Sequence, residues 1–280
     1  MEFIKKTTQT VLEKKEKEGV TYLTFPLLEE LGIVEHCFTT RMGGVSKGIY
    51  ATMNLSFSRG DEEEAVLENY RRIASVMHTS IDRIVCSDQT HTTNVLQVDA
   101  SYGGCGITKA RPYSDMDGLI TNETGVMLAT FYADCVPLYF VDPVHKAIGL
   151  SHSGWKGTVG RMGAKTLKAM QDAYGTEAKD VYAAVAPSIC QSCYEISEDV
   201  AIHFSKEFSD WKDSILEEKG GGKFQLDLWK TNELILLEAG IRKEHLAVTN
   251  ICTCCNPTLL FSHRASKGQR GNLGAFLMLK

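Results

Sequence analysis

Residues 127–157 constrain the fold of this chain more than any other stretch. They read Met127-Leu-Ala-Thr-Phe-Tyr-Ala-Asp134-Cys135-Val-Pro137-Leu-Tyr-Phe-Val141-Asp142-Pro143-Val144-His145-Lys146-Ala-Ile-Gly-Leu-Ser151-His152-Ser153-Gly154-Trp155-Lys156-Gly157. Apolar runs from Pro137 to Val141 and from Lys146 to Ser151 flank an Asp-Pro turn signal. This is the pattern of an antiparallel hairpin centred between Pro143 and Val144. With Val141 opposite Lys146, the register sets Cys135 opposite His152 on one face, within side-chain reach. A thiol facing an imidazole at the mouth of a strand pair makes a Cys-His catalytic dyad or two thirds of a metal site.

A chain of 280 residues with 43% hydrophobic content buries a sizeable core. Its net charge of −5 and pI near 5.9 give no field for nucleic acid or an acidic membrane surface, so a small-molecule partner is expected. The first twenty residues mix Lys5, Lys6, Lys14, Lys15 and Lys17 with Glu13, Glu16 and Glu18, which is no secretory signal, and no apolar run is long enough to span a membrane. Nine cysteines, an odd number without a regular framework, point to a reducing cytoplasm.

Helical spacing occurs over Glu62 to Met77, Gly160 to Tyr174, Glu198 to Phe208 and Leu226 to Ala239. Strand-like runs occur over Thr21 to Phe25, Arg83 to Cys86, Val95 to Val98, Gly118 to Thr121, Met127 to Tyr132, the hairpin, Val181 to Ala186 and Ala247 to Asn250. The glycine-rich run Glu217 to Lys223 reads as a mobile loop between helices. Strands dominate the middle and helices follow singly. The expectation is one α/β domain over residues 1–280, built of packed mixed, largely antiparallel sheets with surrounding helices.

A third ligand beside the hairpin should be a histidine on a neighbouring loop. His91 stands in the polar segment Ser87-Asp88-Gln89-Thr90-His91-Thr92-Thr93-Asn94, between two short strands, where functional groups commonly sit. A loop histidine bonded to backbone is the other reading of the same spacing. His145 lies in the far turn, and His36, His78, His203 and His245 sit at helix ends or strand entries as packing or surface residues. Past His152, the run Ser153-Gly154-Trp155-Lys156-Gly157-Thr158 leads a strand into a helix, a turn whose free N–H groups suit an anion. It lacks the spacing of a Walker loop.

The set Phe38-Thr-Thr-Arg41-Met-Gly43-Gly44-Val-Ser46, Asn54-Leu55, the His91 loop, Asp117-Gly118-Leu-Ile-Thr121, Ala133-Asp134-Cys135-Val-Pro137, Ser151-His152-Ser-Gly154-Trp155, Cys193-Tyr194-Glu195-Ile and Phe261-Ser262-His-Arg264 resembles the laccase-domain family of purine nucleoside phosphorylases, formerly known as multicopper polyphenol oxidoreductases. The likeness runs from about residue 36 to the C-terminus. It implies an α/β fold shared distantly with Cys-His deamidases of the cytotoxic necrotizing factor type. It also implies one zinc, with copper as the alternative, held by His91, Cys135 and His152. The implied activity is phosphorolysis of adenosine, inosine and guanosine, with methylthioadenosine as a further substrate and adenosine deamination as a second reaction. Where the family pattern commonly has Thr-Gly-Arg, this chain has Arg270-Gly271-Asn272, a displaced arginine to which no role is assigned.

Three ligands leave one zinc position open, as catalytic sites do. Arg41 and Arg264, each beside small residues in a loop, are the phosphate-binding candidates together with Ser153 and Gly154 of the turn. Asn54 and Asp134 are placed against the substrate or behind the ligands. The alternatives are a metal-free Cys135-His152 hydrolase or amidase and a copper-dependent polyphenol oxidase, which needs more imidazoles than these motifs supply. Cys190-x-x-Cys193 and Cys252-x-Cys254-Cys255 could converge as a second zinc site or a disulfide.

Overall fold

Strands Val136–Asp142 and Ala147–Ser153 are buried at every position. A strand covered on both faces carries no polar alternation, which explains the continuous apolar runs. The two lie at the centre of a six-stranded sheet whose order is Leu246–Val248, Tyr182–Val185, Val136–Asp142, Ala147–Ser153, Gly118–Thr121, Val95–Gln97. A second six-stranded sheet runs Glu13–Lys17, Val20–Thr24, Val34–Thr39, Leu273–Leu279, Met127–Tyr132, Ile84–Cys86. Most neighbours are antiparallel; Ile84–Cys86 with Met127–Tyr132, Val95–Gln97 with Gly118–Thr121 and Tyr182–Val185 with Leu246–Val248 are parallel. The structure, a computed structural model, describes residues 2–280.

The sheets pack face to face. Phe38, Leu128, Tyr132 and Leu277 of one meet Tyr139, Val141, Ile148 and Leu150 of the other in a shared apolar layer. The outer face of the first sheet, through Cys37, Phe276 and Met278, is covered by Tyr70, Ile73 and Ala74 of helix Glu63–Val76. Leu138 and Phe140 of the other sheet pack outward against Leu167 and Met170 of helix Met162–Tyr174, Phe204 of Glu198–Glu207 and Leu236 of Leu228–Glu238. The result is a helix–sheet–sheet–helix sandwich, the mixed α/β arrangement expected. Among the described residues no helix is long and apolar enough to cross a membrane.

The hairpin register differs from the expected one by two residues. Val141 pairs with Ile148, and His152 faces Pro137 rather than Cys135. Proline fixes φ near −65°, so Pro143 cannot occupy the positive-φ positions of a two-residue hairpin turn. The loop instead takes the four residues between Asp142 and Ala147, with Lys146 at φ 49° and Asp142 Oδ1 accepting from the Val144 and His145 amides. An even shift preserves the face of every side chain. Cys135 and His152 therefore still point into the gap between the sheets, now on a diagonal.

The glycine-rich run is also not a loop between helices. Leu216–Gly220 and Lys223–Leu226 form a hairpin with a third strand, Glu195–Ser197, and its turn uses Gly221 and Gly222 at φ 62° and 71°.

Candidate active site

Asp117, wholly buried just before strand Gly118–Thr121, organises the site. It accepts hydrogen bonds from the backbone amides of Thr90 (3.1 Å), His91 (3.2 Å) and Thr92 (2.8 Å) and from Thr92 Oγ1 (3.0 Å). These bonds hold His91 at φ 67°, a conformation rare outside glycine. The same carboxylate lies 2.7 Å from His152 Nδ1. One acid thus fixes both histidines.

Burial works against the Asp117 charge, yet the bond from His152 and the amides of Thr92 and Thr90 hold its carboxyl below the ordinary value. An ionised carboxylate only accepts, so His152 Nδ1 carries the proton. That leaves Nε2 as the imidazole atom available to a ligand.

Burial also disfavours a charged His152, but the Cys135 sulfur and the Asp117 carboxylate hold its proton and raise it to about 9. Burial pushes the Cys135 thiol up, and the neighbouring His152 and His91 outweigh this and bring it down to about 6. At neutral pH the sulfur is a thiolate, the form needed by a metal or a nucleophile.

The donor atoms of His91, Cys135 and His152 all lie within 4.8 Å of one another, and the two imidazole rings are 4.9 Å apart, edge to face. Gly154 closes the cradle. A Cβ there would stand 2.9 Å from His91 Cδ2, 3.2 Å from Cys135 Sγ and 3.6 Å from His152 Cε1. The three donors and the space preserved by this glycine fit a small metal ion bound through two nitrogens and one sulfur.

The three residues open onto a cavity of about 340 Å³ between the ends of the two sheets. Arg59, Arg111 and Arg270 line it against one carboxylate, Asp88, which pairs with Arg111 at 3.0 Å. Arg270 is buried, and its Nε has no hydrogen-bond partner. Burial and the nearby Arg59 charge lower Arg270 to about 10. Phe57 and Phe131 supply aromatic surface, and the Gln89 amide clamps Phe131 through its backbone N–H (2.7 Å) and C=O (2.8 Å).

The structure spends the other expected substrate ligands elsewhere. Arg41 donates to the carbonyls of Ala51 (2.7 Å) and Pro257 (2.8 Å) and stacks over Phe261, outside the cavity lining. Arg264 donates its guanidinium to the carbonyls of Cys193 (3.2 Å) and Glu195 (2.8 Å), while its backbone amide bonds Asp134 Oδ2 at 2.7 Å. Asn54 is buried behind the cavity, bonded to Ser56, Asp61 and the Asn272 amide. Ser153 points to the helical face, toward Thr158 and Asn232. Only Gly154 of that set touches the ligand cluster. Asp134 accepts from Thr253 Oγ1 at 2.6 Å and so supports the loop behind Cys135.

Residues 35–280 match a protein-family model described as multi-copper polyphenol oxidoreductase laccase. The chain belongs to that laccase-domain purine nucleoside phosphorylase family. Among laccase-domain relatives, it is 35% identical to the purine nucleoside phosphorylase YlmD of Bacillus subtilis, over 87% of both chains. It is 31% identical to the adenosine deaminase RL5 of an unknown prokaryotic organism, over 82% of this chain and 88% of that one. The crystal structure of YlmD from Geobacillus stearothermophilus superposes with a TM-score of 0.87 at 32% identity, covering 96% of this chain and 99% of that one. The family match takes in the whole of one sheet and every residue of the site, and omits strands Glu13–Lys17 and Val20–Thr24 of the other.

Proposed function

We propose that the protein is a zinc-dependent purine nucleoside enzyme. It cleaves adenosine, inosine or guanosine with phosphate to free base and ribose 1-phosphate, and it deaminates adenosine as a second reaction. The observation that carries this reading is the joining of a His91-Cys135-His152 donor set to an arginine-lined cavity. The relatives named as purine nucleoside phosphorylase and adenosine deaminase support the substrate class.

Two imidazoles and one thiolate suit zinc and leave an open position, the arrangement of a catalytic rather than a structural site. When bound, zinc supplies Lewis acidity that polarises oxygen and activates water. The remaining work falls to side chains. Asp117 holds His152 in one tautomer and orientation, so its Nε2 stays directed at the ligand cluster. Arg270 and Arg59, the cavity cations free of a carboxylate partner, hold phosphate by charge-assisted bonds against the sugar. Phe131 offers a flat apolar face for the base. Nine cysteines with no disulfide among them suit a reducing compartment such as the cytoplasm.

One observation favours a second reading. Asp117, His152 and Cys135 stand in series as an acid, a base and a nucleophile, which is also the order of a metal-free cysteine hydrolase. A multicopper oxidase has less support, since the cluster holds two imidazoles. Inosine and adenosine turnover, measured with and without phosphate on protein of known zinc content, tests the proposal. Hypoxanthine and ribose 1-phosphate should appear from inosine only with phosphate. Ammonia should appear from adenosine in either case. Full activity in zinc-free protein would transfer the site to the hydrolase reading.

A further inference from the structure

A second cluster of thiols lies outside the active site. Strands Tyr182–Val185 and Leu246–Val248 are parallel neighbours at one edge of their sheet, so the loops leaving them start side by side and travel the same way. Each loop carries a Cys-x-x-Cys turn, Cys190-Gln191-Ser192-Cys193 in the first and Cys252-Thr253-Cys254-Cys255 in the second. The two turns meet through a bridge between Ser188 and Cys252, with the Thr253 amide donating to the Ser188 carbonyl at 3.1 Å.

The sulfurs of Cys190, Cys193, Cys252 and Cys255 all lie within 4.8 Å of one another. The Cys193 and Cys255 sulfurs are 3.5 Å apart. A disulfide holds its sulfurs at about 2.05 Å, whereas a tetrahedron of sulfurs on bonds of about 2.3 Å has edges of about 3.8 Å. The observed spacing is too long for a disulfide and close to that of sulfurs sharing one ion. The Cys190 amide donates to Cys252 Sγ at 3.2 Å, the kind of N–H contact that stabilises a thiolate. Lys6 brings a positive charge beside Cys190 and Cys255 and bonds Ser192 Oγ at 3.3 Å, which would offset part of the net negative charge of four thiolates around a dication.

We propose that Cys190, Cys193, Cys252 and Cys255 form a second, structural zinc site, a closed tetrathiolate centre separate from the His91-Cys135-His152 cluster. Four protein ligands fill a tetrahedral zinc and leave no position for a substrate. The site's task is to join two loops. Both reach Asp134, the residue before Cys135: Ile189 donates to its carbonyl at 3.0 Å and Thr253 to its carboxylate at 2.6 Å. The second loop also carries Asn256, which bonds the Cys252 carbonyl at 2.8 Å and both backbone groups of Ile4. The thiolate centre therefore fastens the N-terminal segment and the loop ahead of Cys135 to one sheet edge.

Metal analysis of the full chain, purified in reductant, tests this. The intact protein should hold about two zinc equivalents, and Cys190→Ser/Cys255→Ser should hold about one. Cys135→Ala should also hold about one, and Cys254→Ser, which removes a thiol outside the four, should keep about two. With cobalt in place of zinc, the thiolate charge-transfer absorption should survive Cys135→Ala and largely vanish in the double variant. An intact protein with a single equivalent that the double variant retains would overturn the proposal, as would Cys190–Cys252 or Cys193–Cys255 disulfides persisting in reductant. If the double variant does not fold, zinc released by a mercurial thiol reagent from the Cys135→Ala protein, which lacks the thiol of the other cluster, decides the matter. About one equivalent released supports the site and none refutes it.

Discussion

Asp117 Oδ1 and His152 Nδ1 stand 2.7 Å apart, and the same carboxylate carries the backbone of the His91 loop. Two metal-ligand candidates from distant parts of the chain are thereby set by one buried acid. Replacing it with an amide keeps the shape but turns an acceptor into a group that also donates. Asp117→Asn should therefore weaken metal binding by about 10- to 100-fold, the usual cost of losing a partner behind a ligand. Competition with a chromophoric chelator measures it, and unchanged affinity would remove Asp117 from the site.

His91→Ala separates the two chemical readings. A three-ligand zinc site loses an arm and should lose both metal and turnover, while the protein stays folded because a large core, not the ion, carries its stability. The Asp117-His152-Cys135 series does not need His91. Activity that survives this change, with zinc gone, would support the cysteine hydrolase.

Gly154→Ala tests the cradle. The added methyl meets His91 Cδ2 at 2.9 Å and Cys135 Sγ at 3.2 Å, so one ring or the sulfur must move. Metal retention should fall sharply, with a destabilisation of about 1–3 kcal/mol typical of overpacking. Thermal unfolding with and without added zinc reads both effects. Stoichiometric zinc with unchanged affinity would show the space to be unneeded.

Arg270→Ala should raise the phosphate requirement of phosphorolysis by about 1.5–3 kcal/mol, the value of a lost charge-assisted bond, and leave deamination less affected. Arg264→Ala should act differently. It removes bonds to the carbonyls of Cys193 and Glu195 and should lower stability, depressing both reactions together. A phosphate-selective defect in the Arg264 variant alone would reverse the two roles.

Metal uptake should depend on pH in a defined direction. In the metal-free chain the Cys135 thiol, at about 6, is already ionised at neutral pH, while His152, at about 9, still carries an extra proton. Binding must expel that proton, so affinity should climb as pH rises toward 9 and fall as pH drops, with about one proton released from His152 near pH 7.5. Calorimetry in buffers of different ionisation enthalpy counts it. No release would mean that His152 is neutral before the metal arrives.

Much of the fold is legible in the residues, and the gaps have physical causes. Strands Gly118–Thr121 and Met127–Tyr132 fall where their apolar runs predict. The hairpin is there too, but Pro143 forbids the tight turn and slides the register by two. Strands Val34–Thr39 and Leu273–Leu279, both interior to their sheet, escape the sequence pattern; the second is an unbroken apolar run with no alternation to mark it. Arg264 beside Ser262 and Arg270 beside Gly271 look alike as loop arginines. Only tertiary packing turns one toward backbone carbonyls and the other toward the cavity. Asp117 shows in the sequence as part of a motif, whereas its double grip needs two loops brought together in space.

The cavity draws its walls from both sheets; His91 lies on a loop that joins them, and the other two donors belong to one. Cys135, His152 and Asp117 sit on the strands of a single sheet or at their ends, while Phe131 and Arg270 come from the other. On the function proposed above, the Cys135 and His152 donors and the groups that face the substrate thus sit on separate pieces of the scaffold. The residues around Phe131 and Arg270 can therefore be altered without disturbing the strands that hold Cys135 and His152.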